Sequence, residues 1–328
     1  MKNLSKLGSV IALAALAAAA STAVLAAAQA NGANAGGIGV ITSGTAHQAL
    51  FAIAFDGSDG VAVGAAGEIQ ETADAGKTWS RVSAAPTPLA LLGVAISQGH
   101  RIAVGQSGTV LVKDSGGAWS KVDAGTQGRL FSVSLNSKGR AVAVGEFGTV
   151  IKSEDGGKTW TTLTPDWKGV ADEGVQPHLY AVVVGEDGSI TMTGEFGMIQ
   201  HSTDDGASWK LVHKGDASLL AIDVRPDGVG YAVGQASTVL RTADHGASWT
   251  TSNSGGGSVL LGVRSTANGK VYVTGMRDMM LSDDDGKSWR HGQGADLATS
   301  WYQGISIPAG GEAVLAVGHS GRIIRIDG

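Results

Sequence analysis

Ser153-Glu154-Asp155-Gly156-Gly157-Lys158-Thr159-Trp160 is the stretch whose repetition decides the fold of this chain. The same phrase, Ser/Thr-x-Asp-x-Gly-x-x-Trp, stands at Thr72-Ala73-Asp74-Ala75-Gly76-Lys77-Thr78-Trp79. It returns at Ser202…Asp204…Gly206…Trp209, Thr242…Asp244…Gly246…Trp249 and Ser282…Asp284…Gly286…Trp289. One copy, Val112…Asp114…Gly116…Trp119, has lost the hydroxyl. The six Trp residues are separated by 40, 41, 49, 40 and 40 residues. A fixed period of this length is the mark of a repeat architecture.

Two further phrases keep the same period. Short apolar runs end in Gly64, Gly105, Gly145, Gly194, Gly234, Gly275 and Gly318, as in Val61-Ala62-Val63-Gly64 and Tyr231-Ala232-Val233-Gly234. Each unit opens on a Leu-led run: Leu50-Phe51-Ala52-Ile53, Leu91-Leu92-Gly93-Val94, Leu130-Phe131-Ser132-Val133, Leu179-Tyr180-Ala181-Val182, Leu219-Leu220-Ala221-Ile222 and Leu260-Leu261-Gly262-Val263. Trp301-Tyr302-Gln303-Gly304-Ile305 reads as the seventh. These phrases occur seven times and the Asp phrase six.

Each unit reads as four strands: the Leu run, the run ending in Gly, a run after the next Gly such as Gly148-Thr149-Val150-Ile151-Lys152, and a last strand beginning at the Trp. Short β-rich runs between Gly, Asn and Asp are strands, and no helical period appears beyond the N-terminus. Four strands in about 40 residues make a propeller blade. The seventh unit stops at Asp327-Gly328 after its third strand, and Gly39-Val40-Ile41-Thr42 precedes the first. The N-terminal strand therefore completes the last blade and hides an open edge. The expected fold is all-β, a single seven-bladed β-propeller domain within residues 31–328.

Composition agrees. Gly is abundant (51 of 328) and Pro scarce (6), as many tight turns require. There is no Cys, so disulfides, thiol catalysis and Cys-based zinc sites fall away together. The net charge is −5. That mild acidity argues against nucleic acid as a partner. The eight His residues show no zinc-ligand spacing. No Gly-rich loop with the spacing of a phosphate cradle stands apart from the repeat. No metal and no cofactor is expected.

Residues 1–30 are set apart. Lys2 and Lys6 precede an apolar stretch, Val10 to Ala28, which ends in Ala28-Gln29-Ala30. A basic start, an apolar middle and a small-residue exit describe a cleavable secretory signal. The expectation is a periplasmic or otherwise exported protein. An uncleaved anchor is the other reading of the same stretch.

The Asp phrase has a local explanation. It falls at the turn between the third and fourth strands, where a carboxylate accepts N–H groups of its own turn. Gly supplies the positive φ and the Trp packs on the neighbouring strand. Asp74, Asp114, Asp155, Asp204, Asp244 and Asp284, with Trp79, Trp119, Trp160, Trp209, Trp249 and Trp289, are thus structural. The run Asp283-Asp284-Asp285-Gly286 lacks the alternating ligands and distal Glu of a calcium loop.

The phrase resembles the Asp-box of bacterial neuraminidase-type (BNR) repeats. The whole unit, with its Leu run, Val-Gly-x-x-Gly-Thr-Val and Ser-x-Asp-Gly-Gly-Lys-Thr-Trp, is similar to the photosystem II stability and assembly factor family, over nearly all of the mature chain. The resemblance implies a non-enzymatic assembly factor or chaperone that binds a membrane or envelope protein. It also implies an alternative, since members in non-photosynthetic bacteria often accompany RND-type exporters of hydrophobic compounds: a periplasmic accessory subunit of such a transporter. Sialidases share the Asp-box and the propeller. A sialidase-like glycan hydrolase or a glycan-binding propeller is therefore the other class, and it would need a Tyr such as Tyr302 beside a Glu and three Arg. Fold alone does not carry that function.

A partner surface is expected where the turns between second and third strands meet the connections between blades. Those turns carry Ala65-Ala66, Gln106-Ser107, Glu146-Phe147, Glu195-Phe196, Gln235-Ala236, Met276-Arg277 and His319-Ser320. Arg129, His178, Trp301 and Tyr302 stand where blades begin and should join this face. The residues put forward as its contacts are Gln106, Arg129, Glu146, Phe147, His178, Glu195, Phe196, Gln235, Met276, Arg277, Trp301, Tyr302 and His319. Exposed aromatics beside charges make good interface anchors. The long gap adds an insertion, Leu163 to Pro177, with Trp167 and Lys168 in it. Insertions in repeat proteins map to loops and often to binding surfaces. Two readings stay open for Trp167: an exposed anchor, or a plug over its own blade.

Overall fold

The computed structural model describes residues 38–171, 174–292, 297–309 and 313–327. The expected signal segment, residues 1–30, and residues 172–173 of the insertion lie outside the described residues. Seven antiparallel sheets of four strands account for the strands of the described chain. Blade 3 is typical: Leu130–Leu135, Ala141–Gly145, Val150–Ser153 and Thr161–Leu163, numbered outward from the axis. Inner strands of successive blades touch in a closed ring, with that of blade 7 against that of blade 1.

Blade 7 is shared by the two ends of the chain. Tyr302–Ser306, Ala313–Gly318 and Ile323–Asp327 are its first three strands. Ile38–Thr42 pairs antiparallel with Ile323–Asp327 as the fourth. The expected closure is present. One register differs from the sequence reading. Tyr302, not Trp301, pairs with Gly318 as Leu50 pairs with Gly64. Tyr302 thus fills the Leu slot of the last blade and Gln303 takes the slot held by Phe51.

The Gly that ends each second strand has a steric reason. Its backbone is extended, so φ is not the cause. A Cβ on Gly64, Gly105, Gly145, Gly194, Gly234, Gly275 or Gly318 would lie 1.9–2.5 Å from the carbonyl oxygen just before the same blade's inner strand. That carbonyl accepts the N–H of the residue after the Gly, as in Glu146 N–H to Arg129 O at 2.9 Å. The inner strand and the turn are held together by this contact in all seven blades.

The third position of the inner strands is always small: Ala52, Gly93, Ser132, Ala181, Ala221, Gly262 and Gly304. A Cβ on Gly262 would meet the Gln303 carbonyl at 2.4 Å, and one on Gly304 the Ala52 Cα at 2.8 Å. Backbones of adjacent inner strands approach closely here, which leaves no room for bulk.

Each seam between blades has its own apolar cluster. The Trp of a blade packs on the blade before it: Trp79 on blade 7, Trp119 on blade 1, Trp160 on blade 2. Trp209, Trp249 and Trp289 continue the series. Blade 7 has no such Trp, and its seam with blade 6 is filled by Tyr272, Met279, Leu297 and Ile326.

The Asp phrase is a closed hydrogen-bond set. In blade 4, Ser202 Oγ donates to Asp204 Oδ1 at 2.8 Å and accepts Gly206 N–H at 2.9 Å. Ser208 gives Asp204 both its N–H (2.8 Å) and its hydroxyl (2.5 Å). The hydroxyl before the Trp, Thr78, Thr159, Ser208, Ser248 or Ser288, is thus part of the motif as well. Asp114, whose phrase lacks the first hydroxyl, instead meets His100 Nδ1 at 2.7 Å and Lys158 Nζ at 3.1 Å. No group of three His, Asp or Glu suited to a metal occurs among the described residues.

Candidate functional site

The second-to-third turns and the connections between blades share one face, around the mouth of an axial channel of about 430 Å³. The channel is lined by the second residue of each inner strand: Phe51, Leu92, Phe131, Tyr180, Leu220, Leu261 and Gln303. All seven are half-buried. None of the side chains of this collar is among the contacts expected from the sequence. Its signal was present, because Leu-Phe, Leu-Leu and Leu-Tyr place two apolar residues in a row where a strand should alternate.

The tips around the mouth are tight turns with a left-handed residue in the middle. Phe147 has φ 50° and Phe196 φ 57°, with Gly148 and Gly197 following at 67° and 55°. Bulky side chains adopt this conformation at a cost of about 1–3 kcal/mol. The strained position turns the side chain outward: Phe147 is 64% exposed and Phe196 38%, while Met276, one residue before the left-handed Arg277, is 49% exposed. With Val175 in the insertion, they are four of the five large exposed apolar side chains of the described residues.

In four blades the side chain before the tip does structural work. Gln106 Oε1 accepts Ala90 N–H (3.0 Å), Glu146 Oε1 accepts Arg129 N–H (2.9 Å), Glu195 Oε2 accepts His178 N–H (2.9 Å) and Gln235 Oε1 accepts Ser218 N–H (3.1 Å). These four side chains brace the turn against the inner strand of their own blade.

The remaining candidates fall into two sectors. Across blades 3 and 4, the ring of His178 lies 4.8 Å from that of Phe147, 6.2 Å from Phe131 and 6.4 Å from Tyr180. Phe147 N–H donates to His178 Nδ1 at 3.2 Å. Burial first, and then the charge of Glu195, push the Tyr180 phenol above its usual range. Across blades 7 and 1, Trp301 stacks on Phe51 at 6.0 Å with only 9° between planes, and His319 lies 6.5 Å from Trp301. Met276 reaches this sector through a β-bridge to Trp301.

Arg129 and Arg277 are exposed and have no carboxylate partner among the described residues. Elsewhere arginines are paired, as Arg101 with Asp59 and Arg264 with Asp223.

Two expectations change. Tyr302 is 1% exposed, because it occupies the Leu slot and points into the seam with blade 6, so it neither joins the face nor lines the channel. Trp167 is half-buried in the cluster between blades 3 and 4, over Gly148, so the plug is the reading that holds. Its loop is tied down on blade 4: Gln200 Nε2 donates to Asp166 O (3.1 Å) and Lys214 Nζ to Gly169 O (3.0 Å). Lys168 stays exposed beside it.

Residues 111–217 match the sequence profile of the Photosynthesis system II assembly factor YCF48 family. Comparison with curated proteins gave no match. A solved structure described as YCF48 bound to D1 peptide superposes with a TM-score of 0.70 at 17% identity, over 90% of this chain and 98% of that one. YCF48 from Cyanidioschyzon merolae gives 0.69 at 18%, over 88% and 98%. The structure of U3-55K gives 0.70 at 12%, again over 88% and 98%, so likeness of shape at this identity carries the ring and not the partner. Repeat and ring together make the chain a seven-bladed BNR-type propeller similar to the assembly factor YCF48.

Proposed function

We propose that the chain is an exported, non-enzymatic scaffold that captures a membrane or envelope protein on the face bearing Phe147 and Phe196. The observation that carries this is the exposure of these two rings on adjacent blades, each at a strained tip beside an apolar channel mouth. Exposed aromatics at rigid positions suit a binding surface, since they bury much area at little entropic cost. The similar YCF48 structure holds a D1 peptide, which supports a polypeptide as the ligand of such a ring. Five of the six Asp-box carboxylates are spent on their own turns, and Asp114 is held by His100 and Lys158. Tyr302, the Tyr put forward for a sialidase-like site, is buried.

The test is affinity capture by the mature chain from detergent-solubilised envelopes, read by mass spectrometry. The expected result is stoichiometric recovery of an integral membrane protein, an RND-type transporter among the possibilities, and its loss in Phe147→Ala/Phe196→Ala with the melting temperature unchanged. Equal recovery by that variant, or turnover of fluorogenic sialosides by the wild type, overturns the reading.

A further inference from the structure

The seven tips share one backbone shape, but one of them is anchored differently. Of the seven tip amides, only that of Phe147 is held by a side chain among the described residues, and that side chain is an imidazole of the next blade. A backbone N–H can only donate, so His178 Nδ1 must carry a lone pair, and the ring is the neutral form protonated on Nε2. His178 in turn packs among Phe131, Phe147 and Tyr180.

We propose that His178 is a proton switch for the Phe147 tip: the neutral imidazole holds the tip in its binding geometry and the imidazolium releases it. On protonation Nδ1 becomes a donor and faces the Phe147 N–H donor, so the bond is lost. Phe147 then keeps its left-handed φ of 50° on the backbone bonds of the turn alone, Thr149 N–H to Glu146 O and Gly148 N–H to Pro177 O. The charged and titratable groups on the elements packed around His178 are few. Glu195 accepts the His178 N–H and Tyr180 stands on the same strand. Glu146 sits in the turn that carries Phe147, and Arg129 heads the strand that carries Phe131. Histidine is the side chain whose charge changes between pH 5 and 8. The functional consequence rests on the partner-binding role of this face; the switch itself does not.

The chain has five Phe residues, so labelling with 15N-Phe gives five amide signals. From pH 8 to pH 5 the Phe147 amide should shift with the same midpoint as the His178 ring protons. His178→Asn keeps an acceptor oxygen near the Nδ1 position and removes the titration, so the signal should stay flat. A Phe147 amide that ignores the His178 titration, or moves equally in His178→Asn, overturns the switch. Partner capture should weaken roughly two- to tenfold at the acid end, the worth of one hydrogen bond, in the wild type and not in His178→Asn. Capture independent of pH with the amide shift present overturns the functional consequence. Capture absent at every pH with the shift present overturns the partner reading and leaves the switch standing.

Discussion

The carbonyl oxygen of Arg129 sits 2.0 Å from where a Cβ on Gly145 would be. Gly145→Ala must therefore push the turn off the inner strand and break the Glu146 N–H bond to that carbonyl. The expected loss is about 3 kcal/mol, the upper end for forced overpacking. Gly39→Ala, where nothing lies within 4 Å of a built Cβ, should change stability by less than about 0.5 kcal/mol. Urea midpoints of the two variants check this, and equal midpoints would rule out the close approach as the reason for the glycine.

Ser202→Ala tests the Asp phrase. It leaves the buried Gly206 N–H without an acceptor and removes one donor from Asp204. A cost of about 1–3 kcal/mol is expected for an unsatisfied buried donor. Ser202→Thr should be tolerated, because Thr72 and Thr242 make the same bonds in blades 1 and 5.

The acid limb of stability should carry the signature of the same motif. The hydroxyl of Thr78 holds Asp74 down to about 2, and Ser208 and Ser288 do the same for Asp204 and Asp284. A carboxylate depressed in the folded state contributes stability above its unfolded value of about 3.9 and loses it as pH falls toward the folded value. Stability should be insensitive to these groups above about pH 5 and fall between about pH 4 and pH 2. Asp204→Asn should make that fall shallower in a pH series of denaturant midpoints; an unchanged slope would show that Asp204 is not depressed.

Trp167→Ala should destabilise by about 2 kcal/mol, roughly half the cost of deleting a fully buried aromatic. The indole closes the cluster between blades 3 and 4 and covers Gly148. Thermal unfolding measures this. A silent substitution would mean that the loop lies open and that the exposed-anchor reading deserves the residue back.

The ring was legible because its signals are periodic and local. Asp, Gly and Trp at fixed spacing mark a turn whatever surrounds them, and seven glycines at one period mark seven identical close approaches. What failed to show in the sequence depends on contacts between units. Trp301 and Tyr302 are both aromatic, and only the pairing of Tyr302 with Gly318 decides which one is buried. Glu146 and Glu195 read as free charges on a rim, yet a left-handed tip folds them back onto the inner strand. Trp167 is buried by where its loop travels, and that path is fixed by Gln200 and Lys214, far along the chain. The place of Phe147 and Phe196 at turn tips was readable, but whether the rings stand out or tuck between blades is decided by the fold.

The pairing of Ile38–Thr42 with Ile323–Asp327 has a bearing on how the molecule is made. Ile38–Thr42 is made long before its mate Ile323–Asp327 is translated. Six blades can form in order of synthesis, each stacking on the one before, while Ile38–Thr42 waits. The ring shuts only once Ile323–Asp327 has been made, so a chain cut short of that strand lacks a lock and not merely a blade. Closure reports, by geometry alone, that every blade between the two strands is in place.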